Sequence, residues 1–303
     1  TMAYILAVNP SVLGSTGMDT TAVLLATALA SCLGTLCMAF MANLPFALSA
    51  GMGLNAFMAY TVVAGYGYSW QVALLAVFIE GLIFIVLSLT NIREAIFNAI
   101  PLTLKKGVSV GIGLFIAFIG LQNSGLCVDS ATLVGIISFP ENFHTAGICA
   151  LLTLIGLFFT AVFYTRKMKG AILYGILLTW ILGMLCQVTG LYVPTPDAGF
   201  YSLFPSWGMT DFSKLGLTFG QCFNVDFSAV GIVNFIVVIF SFLFVDIFDT
   251  LGTLIGVATK AKMLDKDGKL PGIKPALLAD SIATSAGAIL GTSTTTTFVE
   301  SAS

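Results

Sequence analysis

Apolar segments long enough to cross a bilayer recur along the whole chain. A membrane-spanning helix needs about 20 mostly apolar residues. Only 9% of the 303 residues are charged, whereas soluble domains carry about 25%. The sequence therefore predicts an all-α polytopic membrane protein. The predicted spans are residues 1–8 (the tail of a first helix), 22–42, 44–64, 69–90, 106–121, 145–164, 171–189, 229–258, 275–291 and a last one beginning near 294.

The polar residues argue against several classes of function. The net charge is −2 without a basic face, so no nucleic-acid partner is expected. His144 is the one histidine, and the six cysteines form no CxxC pair, so no metal site or disulfide is predicted. A membrane-embedded enzyme is disfavoured because a single histidine and no metal-binding cluster leave few groups for catalysis. We expect neither an enzyme nor a bound metal or cofactor.

Basic residues alternate between the two sides of the predicted topology. Positive charges concentrate in cytoplasmic loops, and eleven of the twelve fall in three alternate loops, with only Lys214 opposite. We expect a multi-pass protein of the cell membrane in which these loops are cytoplasmic and the loops around 123–144 and 190–228 are external. Residues 91–105 predict an amphipathic interfacial helix. The eleven are Arg93, Lys105, Lys106, Arg166, Lys167, Lys169, Lys260, Lys262, Lys266, Lys269 and Lys274.

Two predicted spans are interrupted. In NLPFALSAGMGLNAFMAY, Pro45, Gly51 and Gly53 precede Asn55. The run GTSTTTTFVESAS favours extended backbone before Glu300, and non-helical backbone at membrane depth is tolerated where it is buried or lines a cavity. Residues 28–36 and 281–289, which precede these interruptions, are weakly similar and run in opposite directions, as in an inverted repeat. Two alternatives stay open. The glycines of the first segment can serve tight helix packing, and Glu300 can be a glutamate favoured at a helix N-terminus.

Two carboxylates lie in the apolar run FVDIFDT. Asp246 and Asp249 are three residues apart, so both lie on one helical face. Because charge at membrane depth is costly, the pair is predicted to face a water-filled cavity as ligand anchor or proton carrier. Solvated or capping carboxylates at a helix end are the alternative. For Glu80 a buried packing role and a functional role are both open, and Asp280 is predicted to be interfacial.

Five stretches carry a family resemblance: TMAYILAVNP, NLPFALSAGMGLNAFMAYTVV, IEGLIFIVLSLTNIREAIFNAIP, FVDIFDTLGTLIGVA and ADSIATSAGAILGTSTTTTFVESAS. Together they resemble the AzgA-like branch of the nucleobase permeases, in the xanthine/uracil permease superfamily. The resemblance implies about fourteen spans in two inverted halves of seven, in which the third span of each half is a short strand followed by a half-helix. We expect a fragment truncated in the second repeat. The implied division is core domain 1–91, gate domain 92–226 and core domain 227–303.

The resemblance also implies the substrate and the residues that bind it. Gly53 and Asn55 would contact a purine, Asp246 would hydrogen-bond its edge, and Asp249 would support Asp246 or the proton pathway. Glu300 would face the base from the other interrupted span. The implied function is proton-coupled uptake of adenine, guanine or hypoxanthine, with Asp246 and Glu300 as the proton-coupling groups, the lipid bilayer as surroundings and a homodimer among the expected partners. Alternatives are a xanthine/uracil permease, an anion transporter of the same fold, or an inactive partial chain.

Overall fold

A computed structural model describes residues 2–130, 133–196, 199–205, 208, 210–226, 230–265 and 270–302. In these residues, seven helices are long and apolar enough to cross a membrane, which confirms the predicted polytopic helical fold. The helices are α1 (Ile5–Gly14), α2 (Thr20–Cys37), α3 (Met52–Ala56), α4 (Trp70–Leu89), α5 (Ile92–Ala99), α6 (Leu102–Asn123), α7 (Ile148–Thr165), α8 (Ala171–Val188), α9 (Ile232–Lys260) and α10 (Ile273–Leu290). The strands are β1 (Leu48–Ala50), β2 (Cys127–Ser130), β3 (Leu133–Ile136) and β4 (Thr295–Thr297).

The first helix is longer than predicted. The predicted span ended at residue 8, and Pro10, just beyond it, breaks a helix in most contexts. In the structure α1 runs to Gly14 with Pro10 inside it. Its buried face includes Asn9, Val12 and Leu13, so the packing of this helix against its neighbours outweighs the local cost of the proline.

Both interrupted spans contain a short strand, as predicted. After Pro45 the chain forms β1, and a π-helical stretch (Phe57–Gly65) extends α3. The threonine run forms β4, which is followed by the 3-10 turn Val299–Ala302. The two strands pair antiparallel, with Leu48 opposite Thr297, and both are fully buried. This pairing satisfies backbone groups that lipid cannot satisfy.

The two weakly similar segments make matched contacts. On α2, Ser31 Oγ lies 2.6 Å from Ser49 Oγ on β1. The equivalent residue on α10, Thr284, donates its hydroxyl to the carbonyl of Thr295 on β4 at 2.9 Å. Each helix therefore holds the strand that follows it through the same position of the repeat, which supports an inverted internal repeat.

Apolar side chains enclose the strand pair. Leu48 of β1 belongs to one buried cluster with Leu251 and Leu254 of α9 and with Leu277 and Ala283 of α10. Because lipid tails are as apolar as leucine, these contacts stabilise the fold through van der Waals packing. The extended segments are thus fixed between α2, α9 and α10.

By internal packing the chain forms two compact units, residues 2–113 with 210–302 and residues 114–209. The division into core and gate domains stays a prediction. In the second unit α7 and α8 pack through matched pairs. A side chain at Gly156 would meet Thr179, and one at Gly175 would meet Thr160. Small residues of this kind allow close helix packing in membranes.

Candidate functional site

The point where β1 leads into α3 is crowded, and glycine is required there. Gly51 donates its backbone N–H to the Thr294 carbonyl at 3.0 Å. A Cβ atom at Gly51 would lie 2.9 Å from Thr296 Cγ2 and 3.3 Å from Asp249 Oδ2. Such an atom would force its neighbours apart, so the sequence needs glycine to bring α3, β4 and α9 together.

Gly53 and Asn55 both lie on α3, as the interrupted span predicted. Gly53 is half-buried, whereas Asn55 is 1% exposed. The Asn55 side chain donates from Nδ2 to Asn9 Oδ1 at 3.0 Å. In the described part of the chain, no hydrogen bond to Asn55 Oδ1 is found, so this oxygen is available as an acceptor.

The two carboxylates of α9 diverge despite their spacing. Side chains three residues apart point about 60° from one another around a helix of 3.6 residues per turn. Asp249 is half-buried and its Oδ2 approaches Gly51; among the described residues no hydrogen bond to this carboxylate is found. Asp246 is fully buried and accepts a hydrogen bond on Oδ1 from Thr250 at 3.0 Å.

Glu300 lies on the turn after β4 and is half-buried. The Tyr4 hydroxyl donates to Glu300 Oε1 at 2.6 Å and also lies 3.4 Å from Met52 Sδ on α3. Tyr4 therefore connects this carboxylate to the start of α3, one residue before Gly53. Charged acceptors form the stronger class of hydrogen bond, so this contact holds Glu300 in place.

A buried arginine is the main feature that the sequence analysis missed. The charge count assigned Arg93 to a cytoplasmic loop, but its side chain is only 3% exposed. Nη2 of Arg93 lies 2.9 Å from Asp280 Oδ2 and 3.4 Å from Asp246 Oδ2. Nη1 donates to Ser281 Oγ at 2.6 Å and to the Leu277 carbonyl at 3.0 Å. We call Arg93, Asp246, Thr250, Asp280 and Ser281 the arginine cluster.

The prediction for Asp280 was also wrong, because the sequence did not reveal that Arg93 is its buried partner. Its distance from Lys274 suggested an interfacial carboxylate, yet Asp280 is 0% exposed. A buried charge is tolerated when it is paired and hydrogen-bonded, and Arg93 supplies both. The guanidinium also stacks over Phe84, with its central carbon 3.9 Å from the ring centroid. The signal in the sequence was an arginine on a short amphipathic helix followed, much later, by acids inside apolar helices.

Charge balance distinguishes the arginine cluster from an ordinary ion pair. One guanidinium faces two carboxylates, Asp246 and Asp280. Glu80 is also fully buried, and Thr294 donates its hydroxyl to Glu80 Oε2 at 3.1 Å. A hydroxyl partner was one of the two roles left open for this glutamate. The Thr294 hydroxyl carries no charge and cannot balance the carboxylate of Glu80. Among these described contacts, the one cation that balances buried carboxylates is Arg93.

A second buried polar group also escaped the sequence analysis. Asn9 is 0% exposed and donates from Nδ2 to Thr27 Oγ1 and Thr292 Oγ1, at 2.8 Å each. Together with Asn55 these residues form what we call the amide cluster: Asn9, Thr27, Asn55 and Thr292. A single asparagine in the first apolar segment was the available signal, because buried amides need several partners.

A small pocket lies beside the arginine cluster. None of the five predicted site residues lines it. Arg93 and Thr250 of the arginine cluster both line the pocket, so it borders that cluster. The lining residues are Arg93, Ile96, Ile247, Thr250, Leu251 and Leu277.

Comparisons with known proteins agree with this architecture. The family model named Xan_ur_permease, described as Permease family, matches residues 1–303. A putative permease of Methanocaldococcus jannaschii is 47% identical over 304 residues, which cover 100% of this chain and 65% of that protein. The guanine/hypoxanthine permease PbuG of Bacillus subtilis is 46% identical (100% and 66% covered) and the adenine permease AdeP of Escherichia coli is 38% identical (100% and 63% covered). The chain spans about two thirds of their length or slightly less.

Proposed function

The chain belongs to the Permease family, which matches it from residue 1 to residue 303, and from that premise we propose that the protein takes up purine nucleobases across the cell membrane. Membership of a permease family agrees with the prediction that the protein is a transporter and not an enzyme. The observation that carries the purine assignment is the identity of 38–46% to permeases named for adenine or for guanine and hypoxanthine. The proposed partners are a purine and the lipid bilayer.

The chemistry at the strand junction supports a purine as the ligand. Purines carry both hydrogen-bond donors and acceptors on their edges. Asn55 offers an acceptor oxygen, and the carboxylates of Asp249 and Glu300 accept from N–H groups. We propose that these three side chains and the backbone at Gly53 bind the base. Leaving polar groups of the ligand unpaired in a buried site costs about 2–7 kcal/mol each, so paired groups of this kind determine which base is accepted.

We propose the proton as the coupling ion, carried by Asp246 with Glu300 as the second coupling group. The charge balance of the arginine cluster supports this assignment. Arg93 neutralises one of the two carboxylates that it contacts, and the other needs a proton or a further cation. Binding a proton at Asp246 makes the cluster neutral without any other ion. A carboxylate that gains and loses a proton in this way can couple the proton gradient to transport.

Uptake of radiolabelled purines tests the function. Cells that lack their own purine permeases, expressing the protein, are expected to accumulate labelled adenine, guanine or hypoxanthine and to lose the accumulation when a protonophore collapses the gradient. Competition by unlabelled xanthine and uracil separates the purine assignment from a xanthine/uracil permease. Absence of purine uptake in cells with the protein in the membrane would contradict the proposal.

Glu300→Gln provides a second test of the coupling assignment. Glutamine keeps the size of the side chain and still accepts from Tyr4, but it cannot carry a proton. We expect the accumulation of purine driven by a proton gradient to fall. Exchange of labelled for unlabelled purine, at equal purine concentrations on both sides of the membrane, is expected to persist. Tyr4→Phe is the matched control, because it removes the hydrogen bond and keeps the carboxylate.

A further inference from the structure

The amide cluster is a buried chain of hydrogen bonds that ends at Asn55, and its other members, Asn9, Thr27 and Thr292, have no role in the proposed transport cycle. It joins α1, α2, α3 and the residues just before β4. Asn9, Thr27 and Thr292 are each 0% exposed, and Asn55 is 1% exposed. Groups buried this completely exchange no hydrogen bonds with water, so each one depends on the orientation of the next.

The direction of every hydrogen bond in this chain follows from its first member. The Thr27 hydroxyl donates to the Val23 carbonyl at 2.6 Å, and a carbonyl can only accept. The single hydroxyl proton of Thr27 is therefore committed, and Thr27 Oγ1 can only accept from Asn9. Asn9 must turn its NH2 group toward Thr27, at 2.8 Å.

The same logic fixes the orientation of Asn55. With its NH2 group on Thr27 and Thr292, Asn9 presents Oδ1 to Asn55 at 3.0 Å. Asn55 must therefore donate from Nδ2, and its Oδ1 stays available to another donor. No hydrogen bond to that oxygen is found in the part of the chain that the structure describes.

We infer that Asn9 is a positioning residue that makes Asn55 present an acceptor oxygen to the transported base. The inference rests on the proposed purine function. A carboxamide reversed about its terminal bond would occupy the same space and offer an NH2 group instead. The amide cluster therefore determines whether Asn55 hydrogen-bonds to a donor or to an acceptor on the base. Asn9 and Thr27 have this effect without contacting the base.

Adenine and hypoxanthine are the natural probe of this orientation. They share one two-ring frame, but donors and acceptors are exchanged at ring positions 1 and 6. A site with a fixed amide distinguishes such a pair, because the wrong partner leaves a buried polar group unpaired. We expect the wild-type protein to discriminate between the two bases by about tenfold or more, measured as the ratio of their inhibition constants in uptake of the preferred base.

Substitutions at Thr27 test the mechanism with little change of shape. Thr27→Val removes the hydroxyl that commits Asn9, so the amide of Asn55 can adopt both orientations and the ratio is expected to fall to about threefold or less. Thr27→Ser keeps the hydroxyl and is expected to keep the wild-type ratio. Asn9→Leu is expected to lower the ratio as Thr27→Val does. Thr27→Cys, with its weak donor, replaces the valine variant if that protein fails to reach the membrane.

Each outcome supports or overturns the inference. A ratio of inhibition constants does not change with the amount of folded protein, so a purely structural effect leaves it unaltered. Wild-type discrimination that persists in Thr27→Val and Asn9→Leu overturns the inference, as does discrimination that persists in Asn55→Ala. A wild-type protein with equal affinity for both bases overturns it too. Failure of the proposed function is distinct, since a wild-type protein would then take up neither base.

Discussion

The amide cluster and the arginine cluster are both buried in the same compact unit, but they satisfy their polar groups in different ways. In the amide cluster every group is neutral, and one carbonyl sets the direction of the whole chain of hydrogen bonds. In the arginine cluster one guanidinium serves two carboxylates. A neutral network can be complete without an ion, whereas a charged one with an excess carboxylate cannot.

The difference indicates a division of labour. A neutral cluster whose amide orientations are fixed by one carbonyl is suited to recognising a ligand. A cluster with an unbalanced charge changes with its proton content and is suited to coupling. The threonine run serves both, since Thr292 belongs to the amide cluster and the Thr296 hydroxyl lies 3.3 Å from Thr250 of the arginine cluster.

The largest expected effect on stability is at Arg93. Arg93→Met leaves two buried carboxylates without a cation, and breaking a buried pair from one side costs about 3–5 kcal/mol. We expect a clear fall in the thermal unfolding midpoint of the detergent-solubilised protein. Arg93→Lys is expected to recover only part of the lost stability, because a lysine ammonium lacks the planar set of N–H donors of a guanidinium. Arg166→Met, at an exposed arginine, is the control; an equal effect of both variants would contradict the comparison.

A smaller effect is expected for one hydrogen bond to the guanidinium. Ser281→Ala removes the acceptor that lies 2.6 Å from Arg93 Nη1, and hydrogen bonds to charged groups are worth about 1.5–3 kcal/mol. Ser285, one turn later on α10, bonds to the Ser281 carbonyl and not to a charge. We expect Ser285→Ala to lower the unfolding midpoint less, and the reverse order would show that charge is not what distinguishes this cluster.

For the amide cluster the expected cost is smaller again. Thr292→Val removes one of two acceptors of the Asn9 amide while Thr27 keeps the other. A neutral hydrogen bond contributes about 1 kcal/mol. We expect the valine variant to unfold slightly earlier than wild type and Thr292→Ser to match wild type. A loss as large as that of Arg93→Met would erase the contrast between the clusters.

An effect no larger than that of Thr292→Val is expected for a partly exposed pair outside both clusters. Asp19 caps α2 through the N–H groups of Thr21 and Ala22 and lies 3.1 Å from Lys214 Nζ. The hydrogen bond from Ala22 and the nearby ammonium lower the pKa of the Asp19 carboxyl below its ordinary value. A lowered pKa stabilises the folded state above the unfolded pKa of about 3.9 and loses that effect as the pH falls through the folded value.

Asp19→Ala is therefore expected to cost about 1 kcal/mol at pH 7. The difference in unfolding midpoint between this variant and wild type should shrink as the pH is lowered below about 4. Asp19→Asn retains a capping side chain and is expected to cost less at pH 7. A cost of Asp19→Ala that grows toward low pH would contradict the sign of this pKa shift.

Local rules predicted the elements but not their long-range partners. Pro45 and the threonine run mark the interrupted spans, because neither suits a continuous helix. Their pairing as strands joins segments some 250 residues apart in sequence, which no local pattern encodes. For the same reason the spacing of Asp246 and Asp249 predicted a shared face but not that one would meet Arg93. Arg93 itself carried the pattern of an amphipathic surface helix.

The central claim is that Asp246 couples transport to the proton gradient without being required for binding of the base. Asp246→Asn keeps a polar side chain of the same size but removes the titratable group. Two quantities are measured in one preparation: accumulation of labelled purine driven by a proton gradient, and exchange of purine at equal concentrations. We predict that the variant loses accumulation and retains exchange. A variant that still accumulates purine on a proton gradient as wild type does would contradict the account.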